Sequence, residues 1–273
     1  MIPAAFEYVR AESVDDAIAQ ITEAGDEAKF LAGGHSLLPL MKFRLAQPSV
    51  LVDLGRITDQ SYIRDAGDHV AIGALTRHHD VEYSDLLAEQ VPLLAHAASL
   101  VGDPAVRHRG TIGGSVAHSD PASDLPATLL ALGATFIARS ASGERAIPAI
   151  DFFTGFLTSA LEPTEMLTEI RVPKSPGSAW NYQKFNRRAQ DWAIVGVVAA
   201  KRDGHAGIGL VNMGSTPIFA AAASAAWLDG ASPADVANLV LEEAEPQADL
   251  NASIEYREHL AKVLTRRAVE AAS

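Results

Sequence analysis

The stretch FLAGGHSLLPLMKF, residues 30–43, constrains the fold more than any other part of the chain. An apolar run stops, places Gly33, Gly34, His35 and Ser36, and then resumes. AKFLA before the break reads as a short buried strand. LLPLMKFRL after it reads as a short helix or turn, with Pro39 tolerable only near the start. A glycine pair at such a junction can take positive φ and turn several consecutive N–H groups toward one point. The missing side chains let an anion approach, Ser36 adds a hydroxyl donor, and a helix start adds partial positive charge. The same residues also suit an ordinary tight turn. Their spacing is neither G-x-G-x-x-G nor a Walker A loop, which needs Gly-Lys-Ser/Thr.

A second glycine break, GTIGGSVAHSDPASD at residues 110–124, repeats the chemistry. Thr111 and Ile112 lead into Gly113, Gly114 and Ser115. Two Gly-Gly-polar loops in one domain can face the two phosphates of a pyrophosphate. Asp124 closes the segment, where its carboxylate can accept from ribose hydroxyls. The alternative is two unrelated turns, with Asp124 capping a helix through LPATLLAL; the cap and ribose roles are compatible.

Composition narrows what such loops can serve. The chain has 273 residues, 48% of them hydrophobic, enough for a full-sized core and more in keeping with two domains than one. Its formal net charge of −12 argues against a general nucleic-acid binder, which needs clustered cations. It leaves room for a small anionic cofactor held by backbone N–H groups. With no cysteine, the chain has no disulfide, no cysteine nucleophile and no cysteine-ligated iron–sulfur cluster of its own. If it moves electrons, it needs an organic cofactor or a partner that carries the metal. No apolar run is long enough to span a bilayer, and MIPAAFEYVR lacks a basic region followed by an apolar stretch, so neither a membrane anchor nor a signal peptide is expected.

Along the chain, Ser13 is placed to cap a helix that buries Val14, Ala17, Ile18 and Ile21, has Asp15 and Asp16 in its first turn and ends at Gly25. SVLVDLG reads as a strand. YIRDAGDHVAIGAL reads as a hairpin about Gly67 and Asp68, and Thr76 as the cap of one helix through HHDVEYSDLLAEQ. Another helix is expected over Pro92–Val101. ATFIARSASGERAIPAIDFF reads as strand, turn, strand, and EMLTEIRVP as a strand stopping at Pro173. KSPGSA, residues 174–179, is a linker signal. Beyond it, WNYQKF and AIVGVVAAKRDGHAGIGLVNMG read as antiparallel strands turning at Asp203–Gly204. The remainder is mostly helical, the last helix placing Ile254, Leu260, Val263, Leu264 and Ala268 on one face. The expected class is α+β: residues 1–176 in two α+β subdomains, about 1–56 and 57–176, and a smaller C-terminal domain, 177–273, of antiparallel sheet plus helices.

AKFLAGGHSLLPLMKFRLAQPSVLVDLGRI, IGALTRHHDV, VRHRGTIGGSVAHSDPASDLPA and QKFNRRAQDWAIVG together resemble the FAD-binding medium subunit of molybdenum hydroxylases, the xanthine dehydrogenase and aerobic carbon monoxide dehydrogenase family, over nearly the whole chain. The resemblance implies a PCMH-type FAD-binding domain and an oxidoreductase subunit that holds FAD non-covalently. Electrons leave a substrate at a molybdopterin cytosine dinucleotide-type centre in a large subunit. They cross two [2Fe-2S] clusters in a small subunit, reach the flavin, and pass to a quinone, NAD or oxygen. The implied assembly is a dimer of heterotrimers in the cytoplasm, with no stable membrane insertion; a quinone acceptor would bring it to the inner face of the membrane. Carbon monoxide is the first expectation for the substrate, with purines, N-heterocycles and aldehydes open.

By position, the resemblance assigns one pyrophosphate loop to Ala32, Gly33, Gly34, His35 and Ser36, and the other to Thr111, Ile112, Gly113, Gly114 and Ser115. It assigns the ribose contact to Asp124, an apolar residue near the adenine to Leu167, a lysine near the flavin ring to Lys184, and a residue against one flavin face to Trp192. A cation at Lys184 would favour an anionic reduced flavin. Ser115 stands where many relatives have asparagine, with a shorter reach, and Trp192 where carbon monoxide dehydrogenases often have tyrosine.

The remaining polar groups carry less. His78 and His79 are adjacent and so point about 100° apart on a helix; His96, His108 and His118 are scattered, there is no H-x-x-x-H, and no metal site is expected. The cations of VRHRG and FNRRAQ serve as solvated surface, as attraction for cofactor phosphates or as a docking face. No nucleophile triad is visible and no catalytic acid or base is expected; the flavin carries the redox step. Two rival classes share the glycine loops: a non-redox nucleotide-binding module, which does not need Lys184 and Trp192, and a free-standing flavin oxidoreductase, for which a second nucleotide fingerprint is missing.

Overall fold

The computed structural model describes residues 1–272. The N-terminal part is a parallel sheet with strand order β1-β3-β2, built from β1 (Glu7–Arg10), α1 (Val14–Ala24), β2 (Ala28–Leu31), α2 (Leu37–Lys42) and β3 (Val50–Asp53). Helix α1 follows its sequence signals. The Ser13 hydroxyl accepts the Asp16 N–H at 3.1 Å, Val14, Ala17, Ile18 and Ile21 are buried, and Gly25 ends the helix at φ +77°. Strand β1 was not expected. Its only partly buried residue is Val9, so no apolar alternation announces it; pairing with β3 makes it a strand.

Next come β4 (Ile63–Asp65) and β5 (His69–Gly73), the hairpin expected about Gly67 and Asp68. Six helices follow: α3 (His78–Glu82), α4 (Asp85–Gln90), α5 (Pro92–Ser99), α6 (Pro104–Arg107), α7 (Ile112–His118) and α8 (Asp124–Leu132). Strands β6 (Thr135–Ser140), β7 (Gly143–Pro148) and β10 (Met166–Pro173) complete an antiparallel sheet of order β4-β5-β10-β6-β7, with β8 (Phe153–Gly155) and β9 (Thr158–Ser159) as a small separate ribbon. The single helix expected through residues 78–90 is two. The Ser84 hydroxyl accepts the Leu87 N–H at 3.2 Å and starts a new helix. Thr76 does not cap α3; its hydroxyl bonds the backbone N–H and C=O of Tyr62 at 3.1 and 3.0 Å and pins the loop before β4.

The C-terminal part is the antiparallel sheet β11 (Ala179–Phe185), β12 (Val195–Arg202), β13 (His205–Val211) and β14 (Ile218–Phe219), in chain order, followed by α9 (Ala221–Leu228), α10 (Pro233–Leu239) and α11 (Ile254–Ala271). Both of its faces are covered. Val197, Ala199, Ile208 and Leu210 pack under α9, α10 and α11, whereas Val198, Ala200 and Val211 join the core of α5 and α8. Successive strand residues point to opposite faces, so a sheet covered twice reads as a continuous apolar run, as VGVVAA does.

Helix α8 is the pivot. Every residue from Asp124 to Leu132 is buried. It lies on β13 with no side-chain layer between: a Cβ at Gly207 would fall on the Ala131 carbonyl oxygen, and one at Gly209 on that of Ala127. In α11, Leu260, Leu264 and Ala268 are buried as expected, while Ile254 is 40% exposed. Arg257 takes an interior place instead, donating to the Ile194 carbonyl and, at 3.3 Å, to that of Asn212, with Asp249 2.7 Å away. No helix of the described residues is long and apolar enough to cross a membrane.

The α8–β13 contact predicts that Gly209→Ala destabilises the protein by about 3 kcal/mol, the upper range for forcing a methyl group into filled space. Chemical denaturation of the two proteins measures it. An unchanged midpoint would show that α8 can lift away freely.

Candidate functional site

A cavity of about 1620 Å³ runs between the three parts of the fold. Its wall takes residues 32–36 from the β2–α2 junction, Thr111, Gly113, Gly114 and Ser115 from α7 and its cap, and Asp124 from α8. Met166 and Leu167 come from β10, and residues 188–192 from the loop between β11 and β12. Of the residues that sequence assigned to the cofactor, only Ile112 and Lys184 are missing from this wall.

The first glycine loop is built as an anion cradle. The N–H groups of Gly33, Gly34, His35, Ser36 and Leu37 make no hydrogen bond to any described residue; the next, Leu38, donates to the Gly34 carbonyl at 3.0 Å. Gly34 sits at φ +75°. Ser36 stands at the start of α2 without capping it, which leaves its hydroxyl available. A Cβ on Gly33 would strike the Arg109 carbonyl and come within 2.8 Å of the Gly110 Cα. The first loop therefore rests on the backbone just ahead of the second motif, and this close approach is why the two motifs meet.

The second motif works differently from the expectation. It is not a loop but the first turn of α7, and its N–H groups are spent. Ile112 donates to the Thr76 carbonyl at 3.0 Å, Gly113 to Ala74 at 2.9 Å, Gly114 to the Thr111 hydroxyl at 3.1 Å, and Ser115 to the Thr111 carbonyl at 3.1 Å. Its glycines provide clearance. A Cβ on Gly113 would lie 2.5 Å from Ala74, so only glycine lets α7 seat on the end of β5. A Cβ on Gly114 would meet only the Thr111 hydroxyl, at 2.7 Å. What this motif offers a ligand is room and the Ser115 hydroxyl, not a second cradle. Ile112 itself is a core residue.

Asp124 is the first residue of α8, with Ser123 in the cap position. One carboxylate oxygen accepts from the Tyr182 hydroxyl and the other from the Lys184 ammonium at 2.9 Å; Lys184 also donates to the Leu100 carbonyl at 2.8 Å. Lys184 is thus committed to a buried ion pair between the two halves of the chain. Burial pushes the Asp124 carboxyl up, and Lys184 and Tyr182 pull back against it. Burial beside that carboxylate drives the Tyr182 hydroxyl far up, so it remains a donor. Tyr182 was not singled out in sequence, although it and Lys184 sit two apart on one strand and so share a face.

His78 was passed over as a metal ligand and proves to be a wall residue. Its Nε2 lies 3.2 Å from the Ser115 hydroxyl, and burial, reinforced by His35, Arg77 and Arg107, holds the imidazole down at about 4. Arg107 is paired with Glu82 at 2.7 Å and does not line the cavity. A β-bulge between Leu167 and Glu169 ends the regular pairing where β10 enters the wall. Trp192 is 57% exposed at the rim, next to an Arg188–Asp191 pair at 3.0 Å. Among the described residues, no three His, Cys, Asp or Glu side chains are gathered to hold a metal ion.

A cavity of this size, with an anion cradle on one wall, apolar β10 residues on another and an aromatic at its rim, fits a large nucleotide with phosphate and ring parts. Residues 4–175 match the family described as the FAD binding domain in molybdopterin dehydrogenase, and residues 180–272 match the CO dehydrogenase flavoprotein C-terminal domain. The chain belongs to this family of FAD subunits of molybdenum-containing dehydrogenases. It is 42% identical to the carbon monoxide dehydrogenase medium chain of Afipia carboxidovorans, over 100% of this chain and 98% of that one. It is 39% identical to the glyceraldehyde dehydrogenase medium chain of Sulfolobus acidocaldarius, over 98% of each. Among solved structures, carbon monoxide dehydrogenase from Hydrogenophaga pseudoflava lacking the Mo-pyranopterin moiety of its cofactor superposes with a TM-score of 0.96 at 41% identity, over 100% of this chain and 98% of that one.

The Asp124–Lys184 pair yields a test with a definite sign. Lys184→Met leaves a buried carboxylate unpaired, at a cost of about 3 kcal/mol at pH 7. It also removes an influence that lowers the Asp124 pKa, which then rises further above its unfolded value. A carboxyl of that kind binds protons more tightly when folded, so the variant gains stability as pH falls from 7 toward the raised value. Urea midpoints of Lys184→Met and wild type between pH 7 and 5 measure the difference. A gap that stays constant or widens on acidification contradicts the assignment.

Proposed function

We propose that this chain is the FAD-carrying electron-transfer subunit of a molybdenum-containing dehydrogenase of the aerobic carbon monoxide dehydrogenase type. In this reading it takes electrons from [2Fe-2S] clusters of a small partner subunit and delivers them to an external acceptor. The observation that carries the reading is the run of five consecutive unpaired N–H groups, Gly33–Leu37, in the wall of a cavity large enough for a dinucleotide.

When bound, FAD supplies reversible redox chemistry that no side chain here can perform. The rest is binding and electrostatics. The Gly33–Leu37 amides and the Ser36 hydroxyl receive the pyrophosphate. Gly114 keeps its side of the cavity clear for it. Asp124, held in place by Lys184 and Tyr182, faces the ribose; Leu167 backs the adenine; Trp192 covers one face of the isoalloxazine and limits its contact with water. Lys184 acts at one remove, through Asp124. Residues 1–176 carry the FAD-binding part and 177–273 the flavoprotein C-terminal part, a division supported by the KSPGSA linker.

The absence of cysteine supports placing the iron–sulfur clusters in a separate small subunit, with a large subunit carrying the molybdopterin cytosine dinucleotide centre, in a dimer of heterotrimers. The proposed location is the cytoplasm, at the inner face of the membrane if the acceptor is a quinone. A second reading, the medium subunit of an aldehyde, purine or N-heterocycle dehydrogenase, is favoured by the glyceraldehyde dehydrogenase relative. Substrate selection belongs to the large subunit in either case.

Gly114→Val tests the cofactor assignment, because Gly114 lines the cavity and an added Cβ there crowds only the Thr111 hydroxyl. The variant should stay folded and lose FAD, its dissociation constant rising at least about 100-fold, on the order of 2.7 kcal/mol. Acid release and quantification of FAD per chain, with the thermal unfolding profile as the folding control, give the result. Full flavin occupancy in the variant would remove the cavity from the FAD site.

A further inference from the structure

Behind Ser115 of the second glycine motif, the wall contains a partner that neither the glycine motifs nor the family match assigns, His78. His78, at the start of α3, is 2% exposed. Its ring packs against Gly110, where an added Cβ would stand 2.6 Å from His78 Cδ2 and 2.8 Å from Nε2, and its backbone N–H donates to the Gly110 carbonyl at 3.0 Å. Only one ring nitrogen has a partner: Nε2 sits 3.2 Å from the Ser115 hydroxyl oxygen. The other, Nδ1, is enclosed and meets no acceptor or donor among the described residues. On the serine side, the hydroxyl does not fold back onto the carbonyl one turn earlier in α7; its contact with His78 is the one side-chain hydrogen bond it makes.

These facts fix the direction of the hydrogen bond. A neutral imidazole carries one N–H. Placing it on Nδ1 would bury a donor with nothing to receive it, and orphaned buried N–H groups are rarer than under-used acceptors. Placing it on Nε2 gives it the Ser115 oxygen and leaves Nδ1 a bare lone pair. In that arrangement Ser115 accepts from His78, and its own proton is free to turn into the cavity. The opposite tautomer would spend the serine proton on the imidazole and turn oxygen lone pairs toward the ligand. Phosphate oxygens accept and do not donate at neutral pH, so the two arrangements differ in sign: one attracts a pyrophosphate and the other repels it.

We propose that His78 is a positioning residue for the cofactor: it donates from Nε2 to Ser115 and so presents the Ser115 hydroxyl as a donor to a phosphate oxygen. The proposal rests on the FAD reading above and adds to it the polarity of one contact. It also accounts for how a serine, with its short reach, serves at this position: the histidine behind it orients the hydroxyl.

The test is FAD titration of the full-length chain stripped of flavin, with ³¹P NMR of the FAD-loaded protein, on Ser115→Ala, His78→Gln, His78→Asn and the Ser115→Ala/His78→Asn double variant. Glutamine carries its amide nitrogen near the place of Nε2 and can still donate to Ser115; asparagine carries it near Nδ1 and cannot. Ser115→Ala and His78→Asn should each raise the FAD dissociation constant about tenfold, the value of one charge-assisted hydrogen bond. The double variant should be no worse than either single one, because the two residues make one contact. His78→Gln should stay within about threefold of wild type. One of the two pyrophosphate ³¹P resonances should move in Ser115→Ala and His78→Asn and stay in place in His78→Gln. Additive losses, wild-type affinity in Ser115→Ala, or equal losses in His78→Gln and His78→Asn would overturn the proposal. If His78→Asn does not fold, Ser115→Ala and His78→Gln decide by affinity and ³¹P shift alone. A stripped wild-type chain that takes up no FAD would instead overturn the FAD reading, and this proposal with it.

Discussion

The rest of the structure depends on one contact: α8 lying directly on the backbone of β13. A helix ordinarily meets a sheet through interleaved side chains. Here two glycines, Gly207 and Gly209, remove that layer, and helix carbonyls occupy the place of Cβ atoms. The helix is buried along its whole length, and its flanks also pack on α5, α7 and β10. It therefore locks the N-terminal two-thirds of the chain to the C-terminal sheet across a linker that sequence alone reads as a separation. Asp124 starts this helix, so its position at the cavity wall is set by the same packing. A buried carboxylate is costly unless paired. The fold meets that cost from the far side of the linker, with Tyr182 and Lys184 on β11.

The two glycine motifs divide their work in a way that pattern matching conceals. Both read Gly-Gly-polar, yet one supplies free amides and the other supplies clearance. The difference lies in what precedes each. Residues 33–36 leave a parallel strand with no neighbouring chain to take their N–H groups. Residues 112–115 pass the end of β5, where Ala74 and Thr76 carbonyls take the first two amides, and Thr111 takes the next two. Backbone dipoles are not counted in net charge, and this is how a chain of net charge −12 can offer an anion a favourable wall.

Much of this was legible in sequence because local signals and tertiary context agreed. Ser13 and Gly25 bound α1, Gly67 and Asp68 turn the hairpin, and Asp203 and Gly204 join β12 to β13. What sequence did not disclose falls into two kinds. One is structure imposed by neighbours: β1 has no apolar alternation and exists through β3, and Ser84 breaks a helix that periodicity alone would continue. The other is polar burial. Arg257 occupies a core position that any apolar pattern assigns to solvent, His78 needs the position of Ser115 to acquire meaning, and the pairing of Lys184 with Asp124 joins residues sixty positions apart. Most of the residues that sequence assigned to the cofactor line one cavity, and the amides of the second glycine motif prove to be taken by Ala74, Thr76 and Thr111.

The arrangement of Arg257 bears on the order in which the site is made. Its guanidinium holds the Ile194 carbonyl, two residues beyond Trp192, from α11, which follows every other element of the fold in chain order. Both glycine motifs are synthesised more than a hundred residues earlier. During translation the cradle residues thus emerge before the opposite wall, and the rim at Trp192 acquires its anchor only once α11 has been made. Completion of the cavity is in this sense a late event. A chain stopped before α11 has the residues of the glycine-rich wall but lacks the anchor of the opposite one, which makes the finished cavity depend on a helix that lines none of it.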